Sequence, residues 1–280
     1  MAILKNTLIN DTGYLQLPVG TTAQRPASPS TPMVRFNSSL DQAEIYDSVA
    51  ATWTTLNQLP YVTTNLVLNL DAGDTSSYGG SGVNWYDISG NNNNTSLAGG
   101  YSYGSSPRGY IQFGSGAYAY STNVNNFNLP ASNAITVEAW IYWSTFSTGS
   151  FQFYWSNSGP TPADYRCGIS NGGGLYWNMG NRVDKSSATT PGSTGTWMQL
   201  VWVTSGSTTN IYTNGSVIVS NFADSGILRG INGWYLGCGE TGISSYPFTG
   251  RISIFRQYSI ALDANQVLQN YNAVKGLFGL

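Results

Sequence analysis

Histidine is missing from the 280 residues, and charge is scarce: 11 Lys+Arg and 13 Asp+Glu amount to 9% of the chain, where an ordinary globular protein carries about 25%. Without imidazole there is no Ser-His-Asp triad, no histidine general base and no histidine-built metal site. A formal net charge of −2 offers no basic footprint for nucleic acid. No stretch approaches the ~18 consecutive apolar residues of a membrane span, so membrane insertion is not expected. The start, Met1 to Asn10, has one Lys and soon meets Asp11, unlike a secretory signal, and synthesis in a cytoplasm is the expectation. The two cysteines, Cys167 and Cys238, fit neither a disulfide framework nor a zinc ligand set. They are either one bridge or two small buried residues.

What the chain does have is apolar bulk, with 41% hydrophobic residues, 14% aromatics and 33 glycines. That is enough for a large core, and the length allows one large all-β domain, or one domain plus a small appendage. Solubility then rests on amides and hydroxyls.

Two regions differ in pattern. Within residues 1–64, Pro18, Pro26, Pro29 and Pro32 crowd between short strand-like pieces. Tyr14 to Leu17 alternates apolar and polar. Met33–Phe36 and Glu44–Tyr46 read as strands around a turn at Asn37–Ser39, and Trp53–Leu56 as another. A segment below ~70 residues with so few core side chains is marginal alone, which points to an attachment or oligomerisation module held by neighbours. Gly13 to Pro26, containing Leu15, Leu17, Pro18, Arg25 and Pro26, followed by Met33 to Asn37 with Phe36, then Tyr46 and Trp53, resembles a recurring segment of tailed-phage fibre, whisker and decoration proteins. The resemblance implies a virion-surface location, a homotrimer, and contacts with other virion proteins through residues 1–64.

From Leu66 onward, short strand candidates recur with Gly/Asn/Ser turns between them. In Ala134–Trp143, Ile135, Val137, Ala139, Ile141 and Trp143 point one way, and Thr136, Glu138, Trp140 and Tyr142 the other. Further candidates are 110–113, 118–121, 151–155, 166–169, 175–179, 197–204, 210–213, 216–219, 234–238 and 248–258. Asn214-Gly215 is a hairpin turn, since both residues tolerate positive φ. So many strands at this spacing predict a two-sheet sandwich. Asp263 with Gln266 forms a capping box ahead of Val267, Leu268, Tyr271 and Val274, an apolar stripe predicting a closing helix across one edge. Leu66–Ala72, Trp85–Asn92, Ile135–Ile141, Trp197–Val203 with Ile211–Gly215, and Gly250–Leu262 with Asn270–Asn272 resemble, in order, the concanavalin A-like (laminin-G-like) lectin/glucanase superfamily. The resemblance implies an all-β jelly-roll β-sandwich with a short C-terminal helix over residues 65–280.

Glycanase chemistry needs two carboxyl groups about 5–5.5 Å apart in a retaining enzyme. The glutamates are Glu44, Glu138 and Glu240. Glu138 and Glu240 have no acidic strand neighbour, and Glu44 has Asp41 and Asp47 only at spacing three, so the chain reads as non-enzymatic with no cofactor. Asp71, Asp74 and Asp87, with Asn84 and Asn91–Asn94, could gather oxygens for calcium, although an Asx-turn explains Asp87 equally well. Carbohydrate is the remaining ligand, since sugar C–H faces stack on aromatic rings and hydroxyls pair with amides and charged groups. Asp164, Tyr165, Arg166, the Asn171–Gly174 loop, Tyr176, Trp177, Asn178 and Arg182 supply those groups, with Tyr246, Tyr101 and Tyr103 nearby in type. The expectation is a fibre-type adhesin binding host cell-surface polysaccharide, with a purely structural capsid or tail decoration as the alternative. Such Tyr-, Ser-, Gly- and Asn-rich loops suit protein contacts too.

Overall fold

The computed structural model describes residues 17–29, 33–39, 42–48, 51–55, 60–114, 116–121, 134–146, 149–157, 165–179, 184–224, 233–239 and 246–280. The chain divides into two compact units, Met1–Leu59 and Pro60–Leu280, so residues 60–64 belong with the second unit.

The first unit is a four-stranded sheet in the order β1 (Val19–Gly20), β2 (Val34–Asn37), β3 (Gln42–Asp47) and β4 (Thr52–Thr55). β1 runs parallel to β2, and the rest is antiparallel. Among the described residues of this unit the buried side chains are Arg35, Asn37 and Glu44, and none is hydrophobic. Its centre is ionic. The Glu44 carboxylate accepts from Arg25 Nη2 at 2.6 Å and Asn37 Nδ2 at 3.1 Å, and Arg35 Nε lies 3.4 Å away. Burial pushes the Glu44 carboxyl up, but the hydrogen bonds from Arg25 and Asn37 and the two positive charges bring it below its ordinary value. Both guanidinium groups also approach the Trp53 ring, at 6.0 and 5.9 Å from its centroid. The proline-flanked stretch before β2 is held locally, because Thr21 N donates to Gln24 Oε1 at 2.8 Å and Arg35 Nη1 to the Gln24 carbonyl at 2.8 Å. Leu15 lies outside the described residues. Leu17 is half-buried, Pro18 exposed, and the Pro18 carbonyl accepts from Phe36 N at 2.8 Å.

The second unit is the expected sandwich. Its strands are β5 (Leu66–Asp71), β6 (Asn84–Trp85), β7 (Thr95–Ala98), β8 (Ser102–Gly104), β9 (Tyr110–Phe113), β10 (Tyr118–Ser121), β11 (Ala134–Trp143) and β12 (Gln152–Asn157). There follow β13 (Tyr165–Ile169), β14 (Leu175–Met179), β15 (Lys185–Ser186), β16 (Trp197–Ser205), β17 (Thr208–Thr213), β18 (Ser216–Ala223), β19 (Trp234–Leu236) and β20 (Gly250–Tyr258). One sheet has the order β15-β14-β13-β12-β19-β10-β7-β6, the other β18-β17-β16-β11-β20-β9-β8, with β5 also paired to β20. The Asn214-Gly215 turn between β17 and β18 has φ of 50° and 75°, the left-handed values that a two-residue hairpin requires.

The main core lies between the sheets and includes Ile135, Val137, Ala139, Ile141 and Trp143 from β11, as the alternation predicts. Seven tryptophans are fully buried: Trp85, Trp140, Trp143, Trp155, Trp177, Trp202 and Trp234. The helix α1 (Ala264–Val274) starts at the Asp263–Gln266 capping box. Rather than closing an edge, it lies against the outer face of the second sheet, because that face is itself apolar. Trp140 stacks on Phe278 at 4.5 Å and on Tyr271 at 5.8 Å, and Ile254, Ala273 and Val274 fill in around them. Leu268, expected in the buried stripe, is 43% exposed, while Asn270 is buried.

Asn270 explains that rotation. Glu138 points outward from β11 and is fully covered. It accepts from Asn270 Nδ2 at 2.7 Å and Gln199 Nε2 at 3.0 Å, with Arg256 Nη1 at 3.4 Å. Asn270 Oδ1 in turn accepts from Val62 N at 2.8 Å. Arg256 bonds Asn69 at 3.2 Å and lies over the Tyr61 ring at 3.9 Å. A buried carboxylate persists only when paired and hydrogen-bonded, and here β16, β20 and α1 each supply one partner. Among the described residues no helix is long and apolar enough to cross a membrane.

Candidate functional site

The outer face of the first sheet is arranged by strand alternation. On β13, Tyr165, Cys167 and Ile169 enter the core, and on β14, Leu175 and Trp177 do the same. Arg166, Gly168, Tyr176 and Asn178 therefore take the other face, with Arg166 opposite Asn178 and Gly168 opposite Tyr176. Two of the expected carbohydrate contacts are corrected by this parity. Tyr165 packs on Trp155 at 5.9 Å and Trp177 edge-on to Phe222 at 4.9 Å, both at 0% exposure. Asp164 and Arg182 lie outside the described residues.

The remaining candidates come together with two rings that the sequence did not single out, Phe151 and Phe153. Phe151 lies 4.6 Å from Tyr176 and 5.6 Å from Tyr246, the latter at 88°. Phe153 sits beneath, 5.6 Å from Tyr176 and 5.3 Å from Tyr246. Gly168 makes room for this cluster, since a Cβ there would collide with the Gln152 carbonyl and the Phe153 ring. Tyr246 adopts φ of 53°, a strained value for an aromatic residue. Its carbonyl accepts from Phe153 N at 3.2 Å, and the residue is 39% exposed.

The polar members sit beside the rings. Arg166 lies over Phe153 at 5.6 Å and 3.6 Å from Asp184, which also accepts from Asn178 Nδ2 at 3.2 Å. Burial, then the hydrogen-bonded Asp184 carboxylate, pushes the Tyr176 hydroxyl above its ordinary value, so it remains a neutral donor. Two hollows flank the cluster. One, of about 410 Å³, lies along the Ser170–Gly174 turn and Ser186–Ala188, and the other, of about 480 Å³, between Thr145, Ser150 and Thr249. The turn is closed by Ser170 N to Gly174 O at 2.7 Å, with Gly173 at φ 81°.

The three aspartates considered for calcium are each engaged by the chain's own donors. Arg108 pairs with Asp71. Asp74 accepts from Ser76 N at 2.8 Å and Oγ at 2.6 Å, bonds that hold its carboxyl below the ordinary value. Asp87 accepts from Asn69 N, Ser89 N, Ser89 Oγ and Asn93 N at 2.8–3.0 Å, the Asx-turn arrangement extended to the neighbouring strand. Among the described residues no three His, Cys, Asp or Glu side chains group as a metal set. Of the glutamates, Glu240 and the neighbour Asp41 lie outside the described residues. In the first unit, Pro18, Pro26, Val19, Met33, Val34 and Trp53 line a hollow of about 500 Å³, and Tyr46 packs on Trp53 at 5.5 Å.

Residues 113–268 match the family model described as the concanavalin A-like lectin/glucanases superfamily. No curated protein sequence matches the chain. Among solved structures, botulinum neurotoxin type C, whose cell entry is described as dependent upon interaction with two ganglioside molecules, is similar with a TM-score of 0.58 at 16% identity, over 76% of this chain and 52% of that one. The binding domain of botulinum neurotoxin DC in complex with rat synaptotagmin II gives 0.57 at 13%, over 76% and 52%. The binding domain of Paraclostridial Mosquitocidal Protein 1 gives 0.60 at 19%, over 78% and 55%. This chain spans about half the length of those chains, and at such identities the likeness is one of fold.

Proposed function

Because this chain belongs to the concanavalin A-like lectin/glucanases superfamily, we propose that its second unit is a non-catalytic glycan-binding module whose ligand stacks on Phe151, Tyr176 and Tyr246. The observation that carries this reading is the convergence of these rings at the surface, with two hollows and hydrogen-bonding groups beside them. Flat apolar rings beside a few fixed polar groups match the two surfaces of a sugar. The similar toxin described with two ganglioside molecules is in keeping with such a ligand. A binding rather than hydrolytic role is supported by Glu138, whose carboxylate is covered and fully used by Asn270, Gln199 and Arg256.

The wider setting proposed is the virion surface of a tailed phage. The first unit, Met1–Leu59, mounts the chain on other virion proteins as a homotrimer, and the sandwich binds host surface polysaccharide. The support is the phage-like run from Gly13 to Asn37, together with a first unit whose described residues bury no hydrophobic side chain and which therefore gains from neighbours. A glycan array and host-cell adsorption with the purified chain test the reading. Binding that Tyr176→Ala weakens by about tenfold or more supports it. Silence across the host's polysaccharides, with normal adsorption of virions lacking the sandwich, would leave a structural decoration instead.

A further inference from the structure

The charge and division of the two hollows narrow the ligand class. This step rests on the reading of the aromatic cluster as a glycan site. Phe151 lines both hollows and stands as the wall between them. On one side it meets Tyr176, on the other it is edge-on to Tyr246, whose neighbour Pro247 lines the second hollow. Each hollow falls within the range of roughly 300–1,000 Å³ typical of small-molecule sites. Among the described lining residues of either one there is no Lys, Arg, Asp or Glu. The polar side chains along the hollows are Ser170, Asn171, Ser186, Ser187, Thr145 and Ser150, while the buried Gln152 amide is taken up by the Thr145 carbonyl and Thr249 N. The charges described beside the cluster, Arg166 and Asp184, are joined to each other at 3.6 Å, and the Arg166 side chain is only 10% exposed. A carboxylated or sulfated sugar would give up its hydration here and find its prospective cation already neutralised, a net cost.

We infer that the site takes an uncharged oligosaccharide whose consecutive sugar units occupy the two hollows on either side of Phe151. The wall stacks against a C–H face from each side, so affinity grows on going from one unit to two or three and then levels off. Amide and hydroxyl contacts without ion pairing make that affinity insensitive to salt.

Calorimetry on the full chain tests this with two sets of probes. One is neutral gluco- and manno-oligosaccharides of increasing length, and the other is sialyllactose and oligogalacturonates. The expected result is a gain of about tenfold from monosaccharide to di- or trisaccharide, less than about twofold change between low and high salt, and no binding of the acidic set. Ser150→Trp, which fills the second hollow, is expected to abolish the gain with length, so that longer neutral ligands bind no more tightly than the monosaccharide does. Tighter binding of the acidic set, or affinity that is flat with length and indifferent to Ser150→Trp, would overturn the inference while the glycan reading stands. Failure of every sugar in both sets would overturn both.

Discussion

Replacing Glu138 by glutamine separates a structural carboxylate from a catalytic one. The exchange keeps the shape and removes the charge. The Arg256 guanidinium, 1% exposed, then loses its counter-charge. In addition, the new amide NH₂ must face either the Gln199 or the Asn270 NH₂, both of which donate to the carboxylate in the native protein. Breaking a buried ion pair by removing one partner typically costs about 3–5 kcal/mol. Arg256 keeps its bond to Asn69 and its place over Tyr61, which argues for the lower end, about 3 kcal/mol. In a unit of this size each kcal/mol moves Tm by roughly 2–4 °C, so a fall of roughly 6–12 °C is expected for the transition of the sandwich. Scanning calorimetry measures it. Asn270→Ala removes the same hub from the helix side, so the double variant is expected to lose less than the sum of the two. A Glu138→Gln protein melting within about 1 °C of its parent would refute the reasoning. So would full stability coupled to loss of a reducing-end-releasing activity present in the parent.

The remaining predictions concern other parts of the chain. Glu44 has a folded-state carboxyl pKa below its ordinary value. Its contribution to the first unit is therefore complete above the unfolded titration near pH ~4.3 and is lost as pH falls through the lower folded value. Acid titration followed through Trp53 should show this limb, and Glu44→Gln should abolish it. Burial pushes the Cys238 thiol up to about 12 and the Cys167 thiol well above its ordinary value, and neither is bridged. A thiol reagent at about pH 8 is thus expected to label the denatured chain twice and the native chain hardly at all, whereas a disulfide would leave both unlabelled without reductant. Gly168→Ala forces a methyl group onto the Gln152 carbonyl and the Phe153 ring. Overpacking of this kind costs about 1–3 kcal/mol, to be read from denaturant midpoints, and an unchanged midpoint would show that β12 yields.

Periodicity carries long strands well and very short ones poorly. β9 and β10 fall where the alternation of their residues places them, because each has one face on the core and the other partly exposed, and β11 keeps its alternation although both of its faces are covered. The two-residue β6 and β15 are too short to show a period, and β7 follows a run of four asparagines that reads as loop. The residue types of the candidate cluster were legible, but not the faces on which they stand. Tyr176 and Trp177 are consecutive on a strand, so only one of them could reach the surface. Phe151 and Phe153 stood only within a strand candidate, and Asp184 joins them through the fold of β13 and β14. Glu138 looked alone because its partners stand 61, 118 and 132 positions away. The Thr21–Pro26 run, which has no periodic signal, has a local reason. It folds back so that Arg25 reaches Glu44 and its carbonyls receive Arg35.

The distribution of indoles gives the molecule a built-in division of optical labour. The seven fully buried tryptophans of the sandwich all have an N–H without a hydrogen-bond partner, so their emission is that of a dry, apolar environment and shifts to the red only when the core opens to water. The rings of the proposed sugar-binding cluster are phenylalanine and tyrosine. Sugar binding there will leave the tryptophan spectrum almost untouched while unfolding moves it strongly. The tryptophan fluorescence of the sandwich thus monitors its integrity and would be blind to a sugar on that cluster.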